Sequence, residues 1–159
     1  EGFPLEAAAA VMRITSAEAN SLLERAWSEV NRQMATTVLV IEDESVIAID
    51  ISPKALRIAK KNATALNAKV AFRRGSLIDP LKKMTKPFII VSNPPYIPDD
   101  SEDIDPDVRD FEPPSALFAG KDGLDVIRPM IEQAKMHPFC RGIAIECRAD
   151  QGEGIREMF

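Results

Sequence analysis

Cysteine, histidine and long apolar runs are all scarce in this sequence. The two cysteines, Cys140 and Cys147, match neither a disulfide framework nor a C-x-x-C pair, which excludes a disulfide-rich secreted scaffold. The single histidine, His137, leaves any zinc site short of ligands. The longest apolar stretch, Ala7 to Met12, is far shorter than the ~20 residues of a membrane-spanning helix. These absences predict a cytoplasmic protein with no membrane association and no metal site.

Positive charge is also in deficit. Lys and Arg number 20 against 25 Asp and Glu, which gives a net charge of −5 at pH 7. Such a chain has no net positive field to attract nucleic acid, so nucleic acid is not an expected partner. Hydrophobic residues make up 45% of the 159 residues and charged residues 28%, a balance that suits one folded domain with a core of ordinary size.

The segment 1–36 predicts a pair of helices. Thr15 and Glu18 form a capping-box pattern at the start of the second helix. The apolar positions of that helix recur every three or four residues and form one stripe; they are Ala19, Leu22, Leu23, Ala26, Trp27, Val30 and Met34. A DNA-reading helix-turn-helix is disfavoured, because the segment holds three arginines against five glutamates. We therefore expect these helices to pack on the protein or to bind a protein partner.

From residue 37 onward, short β-branched runs alternate with helical segments. The predicted strands are Val38 to Ile41, Val46 to Ile51, Lys69 to Arg73, Phe88 to Ser92 and Gly142 to Cys147. Predicted helices span residues 52–68 and 124–136 and begin again near 150, and Ser52 with Pro53 supplies the cap and first-turn proline of the first one. The alternation predicts an α/β fold with a mostly parallel, Rossmann-like sheet over residues 37–159, preceded by the helical pair of residues 1–36.

A four-residue motif, Asn93-Pro94-Pro95-Tyr96, follows the predicted buried strand Phe88 to Ser92. Open parallel sheets bind ligands beyond the carboxyl ends of their strands, which is where this motif lies. The two prolines restrict the backbone and remove two amide donors, so the Asn93 side chain and nearby carbonyls are left to accept hydrogen bonds. Such a pocket suits the NH2 group of an amide or aromatic amine, on which Tyr96 can stack. The alternative is a rigid turn without a binding role.

The motif and its flanks resemble the release factor glutamine methyltransferases (the HemK/PrmC family), which are class I enzymes dependent on S-adenosylmethionine. The resemblance covers about residues 46–159. It includes the runs VIAIDISPKAL (46–56), VSNPPYIP (91–98), VRDFEPPSALF (108–118) and GKDGLD (120–125), and it continues to Glu146 and Gln151-Gly152-Glu153.

This resemblance implies a role for each matching residue. The residues implied at the S-adenosylmethionine site are Asp50, which would accept hydrogen bonds from the ribose hydroxyls, Ser76, Leu77 and Asn93. Ser76 stands where family members usually carry an acid that contacts adenine, so that contact departs from the family pattern. Asn93 and the Pro94 carbonyl would hold the substrate glutamine amide, with Pro95 and Tyr96 lining the pocket. The implied partner is the Gly-Gly-Gln loop of peptide chain release factors.

The glycine-rich turn that such enzymes carry after their first strand is missing. After Gly2 the next glycine is Gly75, so no G-x-G pattern precedes Asp50. Only residues 42–45 separate the first two predicted strands, whereas a parallel crossover needs about a dozen residues or more. The first βα unit is therefore predicted to be incomplete, and cofactor binding and activity are expected to suffer.

A second resemblance covers about residues 1–51. The two helices and the run ATTVLVIEDE (35–44) are similar to general-stress response regulators in which a sigma-like domain precedes a receiver (the PhyR type). In that family Glu42 and Asp43 would belong to a magnesium site, a role that suits paired carboxylates. The phosphoacceptor aspartate is not found where it would close a later strand, since Asn93 stands there. A fusion of two fragments, or a chain from which segments are missing, would explain both resemblances.

The sequence therefore leaves three candidate functions. The leading prediction is methyl transfer to a glutamine side-chain nitrogen of peptide chain release factors. A signalling or partner-binding fragment of a sigma-like response regulator is the first alternative. An adenine N6-methyltransferase of nucleic acid is the second, and a basic groove would have favoured it.

Overall fold

The computed structural model describes residues 38–41, 46–102, 104, 108–109 and 112–159. The helical pair predicted for residues 1–36 lies outside the described residues, as do Glu42 and Asp43. The domain boundary near residue 37 therefore stays a prediction.

A single sheet organises the described part of the chain. Its strands are β1 (Val38–Ile41), β2 (Val46–Asp50), β3 (Val70–Arg74), β4 (Phe88–Ser92) and β5 (Cys140–Ile145), in the spatial order β3-β2-β1-β4-β5. β2 pairs with β3 and β4 pairs with β5 in parallel, as the alternation of strands and helices predicts. The prediction of an α/β fold with parallel strands is thus confirmed.

The central strand, β1, runs antiparallel to both of its neighbours. Residues 42–45 can join adjacent antiparallel strands, but they are too few for the crossover that joins parallel neighbours. The predicted mostly parallel sheet is corrected in this respect, since both pairings of β1 are antiparallel. The reason is the shortness of the link to β2.

The described residues include four helices with defined bounds. They are α1 (Pro53–Ala65), α2 (Pro114–Leu117), α3 (Ile127–Met136) and α4 (Gly152–Glu157), with single 3-10 turns at Asp79–Leu81 and Ala149–Gln151. α1 begins as predicted, because the Ser52 side chain accepts a hydrogen bond from the Ala55 N–H at 3.2 Å and Pro53 is the first helical residue. It ends at Ala65, before the predicted end near residue 68.

The main core lies between the sheet and α3. Phe88 and Ile90 of β4 are fully buried and pack in one cluster with Met130 and Ala134 of α3. Burial of each of the larger side chains, Phe88, Ile90 and Met130, stabilises the fold by roughly 1.5–3 kcal/mol. Side chains alternate between the two faces of a strand, so Ser92 shares the α3 face with Ile90.

The orientation of β1 decides which groups meet at the functional edge of the sheet. Val38, the first residue of β1, pairs with Ile49 of β2 on one side and with Ser92 of β4 on the other. The carboxyl ends of β2 and β4 therefore flank the amino end of β1. Two strand spacings place those carboxyl ends roughly 10 Å apart.

Candidate functional site

A cavity of about 210 Å³ opens at this edge of the sheet. The ends of β2, β3 and β4 and the start of α3 all contribute to its wall. Among its lining residues are Asp50, Ser76, Leu77, Ser92, Pro94 and Pro95. The structure therefore brings five of the predicted site residues to one cavity, whereas Asn93 and Tyr96 are not among the residues that line it.

Asp50 ends β2 as a buried carboxylate, only 2% exposed. Its Oδ1 accepts a hydrogen bond from the Ser52 N–H at 2.6 Å, and its main-chain carbonyl accepts one from the Gly75 N–H at 3.1 Å. These contacts hold the side chain at the turn between β2 and α1. A fixed carboxylate in a cavity wall is suited to accept hydrogen bonds from ligand hydroxyls.

The segment after β3 forms the neighbouring wall. Leu77 has a φ of +49°, a left-handed conformation that is uncommon for a bulky residue and costs about 1–3 kcal/mol. Its side chain packs against the main core, while Ser76 is exposed. Hydrogen bonds on both sides of Leu77 hold this conformation. The Asp79 N–H donates to the Ser76 carbonyl, and the Ile78 N–H donates to Gln133 Oε1.

The Asn93-Pro94-Pro95-Tyr96 motif forms a corner beside the cavity. Pro94 and Pro95 are buried, whereas Asn93 is half-buried. The Tyr96 hydroxyl donates to Glu146 Oε1 at 3.2 Å. Burial first, and then the Glu146 carboxylate, raise the pKa of Tyr96 above its ordinary value. The Tyr96 ring is thus a neutral group whose position is tied to the end of β5.

Gln151 holds this corner in place through its side-chain hydrogen bonds. The sequence assigned it no role. Gln151 is 8% exposed, and its Nε2 donates to the Tyr96 carbonyl and to the Asp122 carbonyl, each at 2.9 Å. Its Oε1 accepts from the Arg148 N–H at 3.0 Å. Gln151 therefore joins the corner to the 120–125 segment and to the chain after β5.

Gly123 makes that junction sterically possible. It has a φ of +73°, and a Cβ at this position would overlap the Tyr96 carbonyl oxygen and approach Gln151 Nε2. The glycines of the run GKDGLD were the available signal in the sequence. The sequence did not show which groups lie beside Gly123, namely the Tyr96 carbonyl and Gln151.

Two further expectations concern metals and membranes. Within residues 38–159, excluding the gaps stated above, no group of three or more His, Cys, Asp or Glu side chains is arranged to hold a metal ion. Glu42 and Asp43 are outside that part of the chain. Among the described helices, none combines the length and apolar character needed to cross a bilayer.

Comparison with known proteins identifies methyltransferases. Residues 2–99 match a family model described as "RMKL-like, methyltransferase domain". Release factor glutamine methyltransferase of Bacillus cereus is 37% identical over 125 residues, which is 76% of this chain and 44% of that protein. The enzyme of the same name from Deinococcus radiodurans is 47% identical over 96 residues, or 59% of this chain and 33% of that protein. The Geobacter sulfurreducens enzyme of that name is 39% identical over 116 residues, or 72% and 40%.

These comparisons bear on both resemblances of the sequence. The resemblance to release factor glutamine methyltransferases is supported, whereas neither the family model nor these relatives supports the similarity of residues 1–51 to response regulators. The chain spans between a third and a half of the length of these curated relatives.

Proposed function

The chain belongs to the RMKL-like methyltransferase domain family, and from this premise we propose that it transfers the methyl group of S-adenosylmethionine to a glutamine side-chain nitrogen. The proposed substrate is the Gly-Gly-Gln loop of a peptide chain release factor. Support for the substrate comes from the names of the relatives, which describe release factor glutamine methyltransferases. The observation that carries the proposal is the corner at residues 93–96, which borders the cavity that contains Asp50.

The corner is suited to a flat NH2 group. The Asn93 side chain makes no hydrogen bond with the described residues, and the two prolines after it have no N–H to compete for its oxygen. Asn93 Oδ1 and the Pro94 carbonyl can each accept one hydrogen of the substrate amide. Two acceptors fix the plane of the amide, so the nitrogen lone pair is presented in one direction.

The residues at the cavity fit S-adenosylmethionine in part. S-adenosylmethionine supplies an electrophilic methyl group on a sulfonium, and Asp50 fits the ribose hydroxyls as a buried acceptor in the cavity wall. The cavity of about 210 Å³ is smaller than the ~300–1,000 Å³ of typical small-molecule sites. If β1 were parallel to its neighbours, its carboxyl end and a following glycine-rich turn would lie at this edge of the sheet. Because β1 is antiparallel, its amino end lies there instead. Asp50 therefore supports the ribose end of the proposed site, whereas the described residues hold no glycine-rich main-chain cradle for the rest.

Methyl transfer to a release factor is the direct test. The chain is incubated with S-adenosylmethionine and a bacterial release factor, and methylated glutamine is located by peptide mass spectrometry. Asn93→Ala should lower the rate about 100-fold, because a misplaced amide loses its alignment. Asn62→Ala in α1 is the matched control and should change the rate less than about twofold, since Asn62 lies outside the cavity wall. Methylation of an adenine oligonucleotide instead, or no methylation of either substrate, would overturn the proposal.

A further inference from the structure

One buried polar atom in the cavity wall has no partner. Ser92, the last residue of β4, is 1% exposed, and its Oγ is the one buried side-chain nitrogen or oxygen in the described residues that makes no hydrogen bond. Buried hydroxyls in folded proteins nearly always have a partner, because leaving one unsatisfied is unfavourable. An unpartnered hydroxyl in the wall of a cavity indicates that its partner is a ligand.

Within the described residues, the Ser92 hydroxyl has no hydrogen-bond partner. Its cross-strand neighbours are Val38 of β1 and Ile145 of β5, neither of which has a polar side-chain atom. On the same face, Ile90 precedes it and Met130 of α3 contributes to the cavity. These neighbours are apolar and Ser92 itself lines the cavity, so a ligand in the cavity could supply the partner of the hydroxyl.

The position of Ser92 also indicates which part of a ligand it would meet. Asp50 and Ser92 line the same cavity from strands two spacings apart, roughly 10 Å. If the ribose lies at Asp50, the sulfur must lie at the other end, because its methyl group has to reach an amide held at Asn93, the residue after Ser92. The polar groups beyond the sulfur are the carboxylate and the amine of the methionine tail.

We infer that the Ser92 hydroxyl binds the amino-acid tail of the methyl donor, by donating a hydrogen bond to its carboxylate. This inference rests on the proposed function, because it takes the cavity to be the cofactor site. It assigns to one side chain part of the role that the missing glycine-rich turn would otherwise perform.

The test compares two adenosine ligands by titration calorimetry. S-adenosylhomocysteine carries the amino-acid tail, whereas 5′-methylthioadenosine lacks it. Ser92→Ala should weaken S-adenosylhomocysteine binding about ten- to a hundredfold, the worth of one hydrogen bond to a charged group, and should leave 5′-methylthioadenosine binding within about twofold. Thr85→Ala is the matched control, since Thr85 also carries a hydroxyl but is exposed and lies outside the cavity wall. It should change neither affinity by more than about twofold.

Thermal unfolding without ligand provides the second measurement. Ser92→Ala removes an unpaired buried hydroxyl, so its melting temperature should equal or exceed that of the wild type. A lower melting temperature would mean that the hydroxyl has a partner within the protein, and the inference would be wrong. Ser92→Cys, whose thiol is larger than the hydroxyl and donates only weakly, should also lose S-adenosylhomocysteine affinity.

The outcomes separate the two proposals. If the wild type binds S-adenosylhomocysteine and Ser92→Ala binds it equally well, the role of Ser92 is refuted while the cofactor assignment stands. If Ser92→Ala weakens both ligands equally, the hydroxyl does not contact the tail. If the wild type binds neither ligand, the cofactor assignment fails, and the role of Ser92 fails with it.

Discussion

Gln151→Glu tests whether the corner at residues 93–96 is held in place by the donors of a single side chain. The substitution keeps the size and shape of the side chain but replaces its NH2 group by a carboxylate oxygen. Nε2 of Gln151 makes two hydrogen bonds, to the Tyr96 and Asp122 carbonyls, and an ionised carboxylate can make neither. The bond that Oε1 accepts from the Arg148 N–H is retained.

The expected loss follows from those two bonds. Each lost hydrogen bond costs about 1 kcal/mol, and the two carbonyl oxygens are left facing a negative charge, which adds to the penalty. We therefore expect the free energy of unfolding at pH 7 to fall by about 2–4 kcal/mol, a large part of the ~5–15 kcal/mol of a typical domain. The deficit should shrink toward about pH 4, where a protonated carboxyl can donate again.

Urea denaturation followed by far-ultraviolet circular dichroism measures this effect. Gln133→Glu is the matched control, because Gln133 Oε1 only accepts a hydrogen bond, from the Ile78 N–H, and a carboxylate accepts at least as well. The control should stay within about 0.5 kcal/mol of the wild type. Equal effects of the two substitutions, or a Gln151→Glu loss below about 0.5 kcal/mol, would refute the reasoning that the donors of Gln151 hold the corner.

Two further predictions concern the same corner. Gly123→Ala should lower the free energy of unfolding by at least about 2 kcal/mol, because its φ of +73° is unfavourable for alanine and the added Cβ overlaps the Tyr96 carbonyl oxygen. Gly142→Ala should be neutral or stabilising, since its Cβ would meet only Ile89 at 3.8 Å, and equal losses in urea denaturation would contradict the prediction. Tyr96, the only tyrosine, should ionise above pH 10.0 when tyrosinate absorbance is titrated, and Glu146→Gln should lower that pKa without abolishing the shift, because burial is its first cause. Since the folded pKa is raised, the stabilisation from Tyr96 is complete below pH 10.0 and is lost as the pH rises through the folded pKa. A midpoint of the absorbance titration at or below pH 10.0 would count against the burial of this ring.

Several elements follow from short stretches of sequence. The β-branched runs of β2 and β4 are strands within a residue of their predicted ends, and α1 begins at the Ser52-Pro53 signal. These features are local, because they depend on side-chain branching, on a capping oxygen and on the fixed φ of proline. The placement of the Asn93-Pro94-Pro95-Tyr96 motif at the end of β4 follows for the same reason.

The direction of β1 shows the limit of that reasoning. The short 42–45 link excludes a parallel crossover to β2, but it does not say where β1 lies. Its insertion between β2 and β4 depends on pairing with a strand that begins almost fifty residues later, at Phe88. Such pairing is a non-local choice, and no local pattern reports it.

The sequence by itself determined the chemistry of the corner, since two consecutive prolines after an asparagine leave acceptors and remove donors wherever the chain places them. Only the tertiary structure decided that Asp50 shares a cavity with this corner, that Gln151 supplies its two donors from beyond β5, and that Ser92 is buried without a partner. Covalent geometry acts within a few residues, whereas burial and hydrogen-bond satisfaction depend on which distant segments fill the surrounding space.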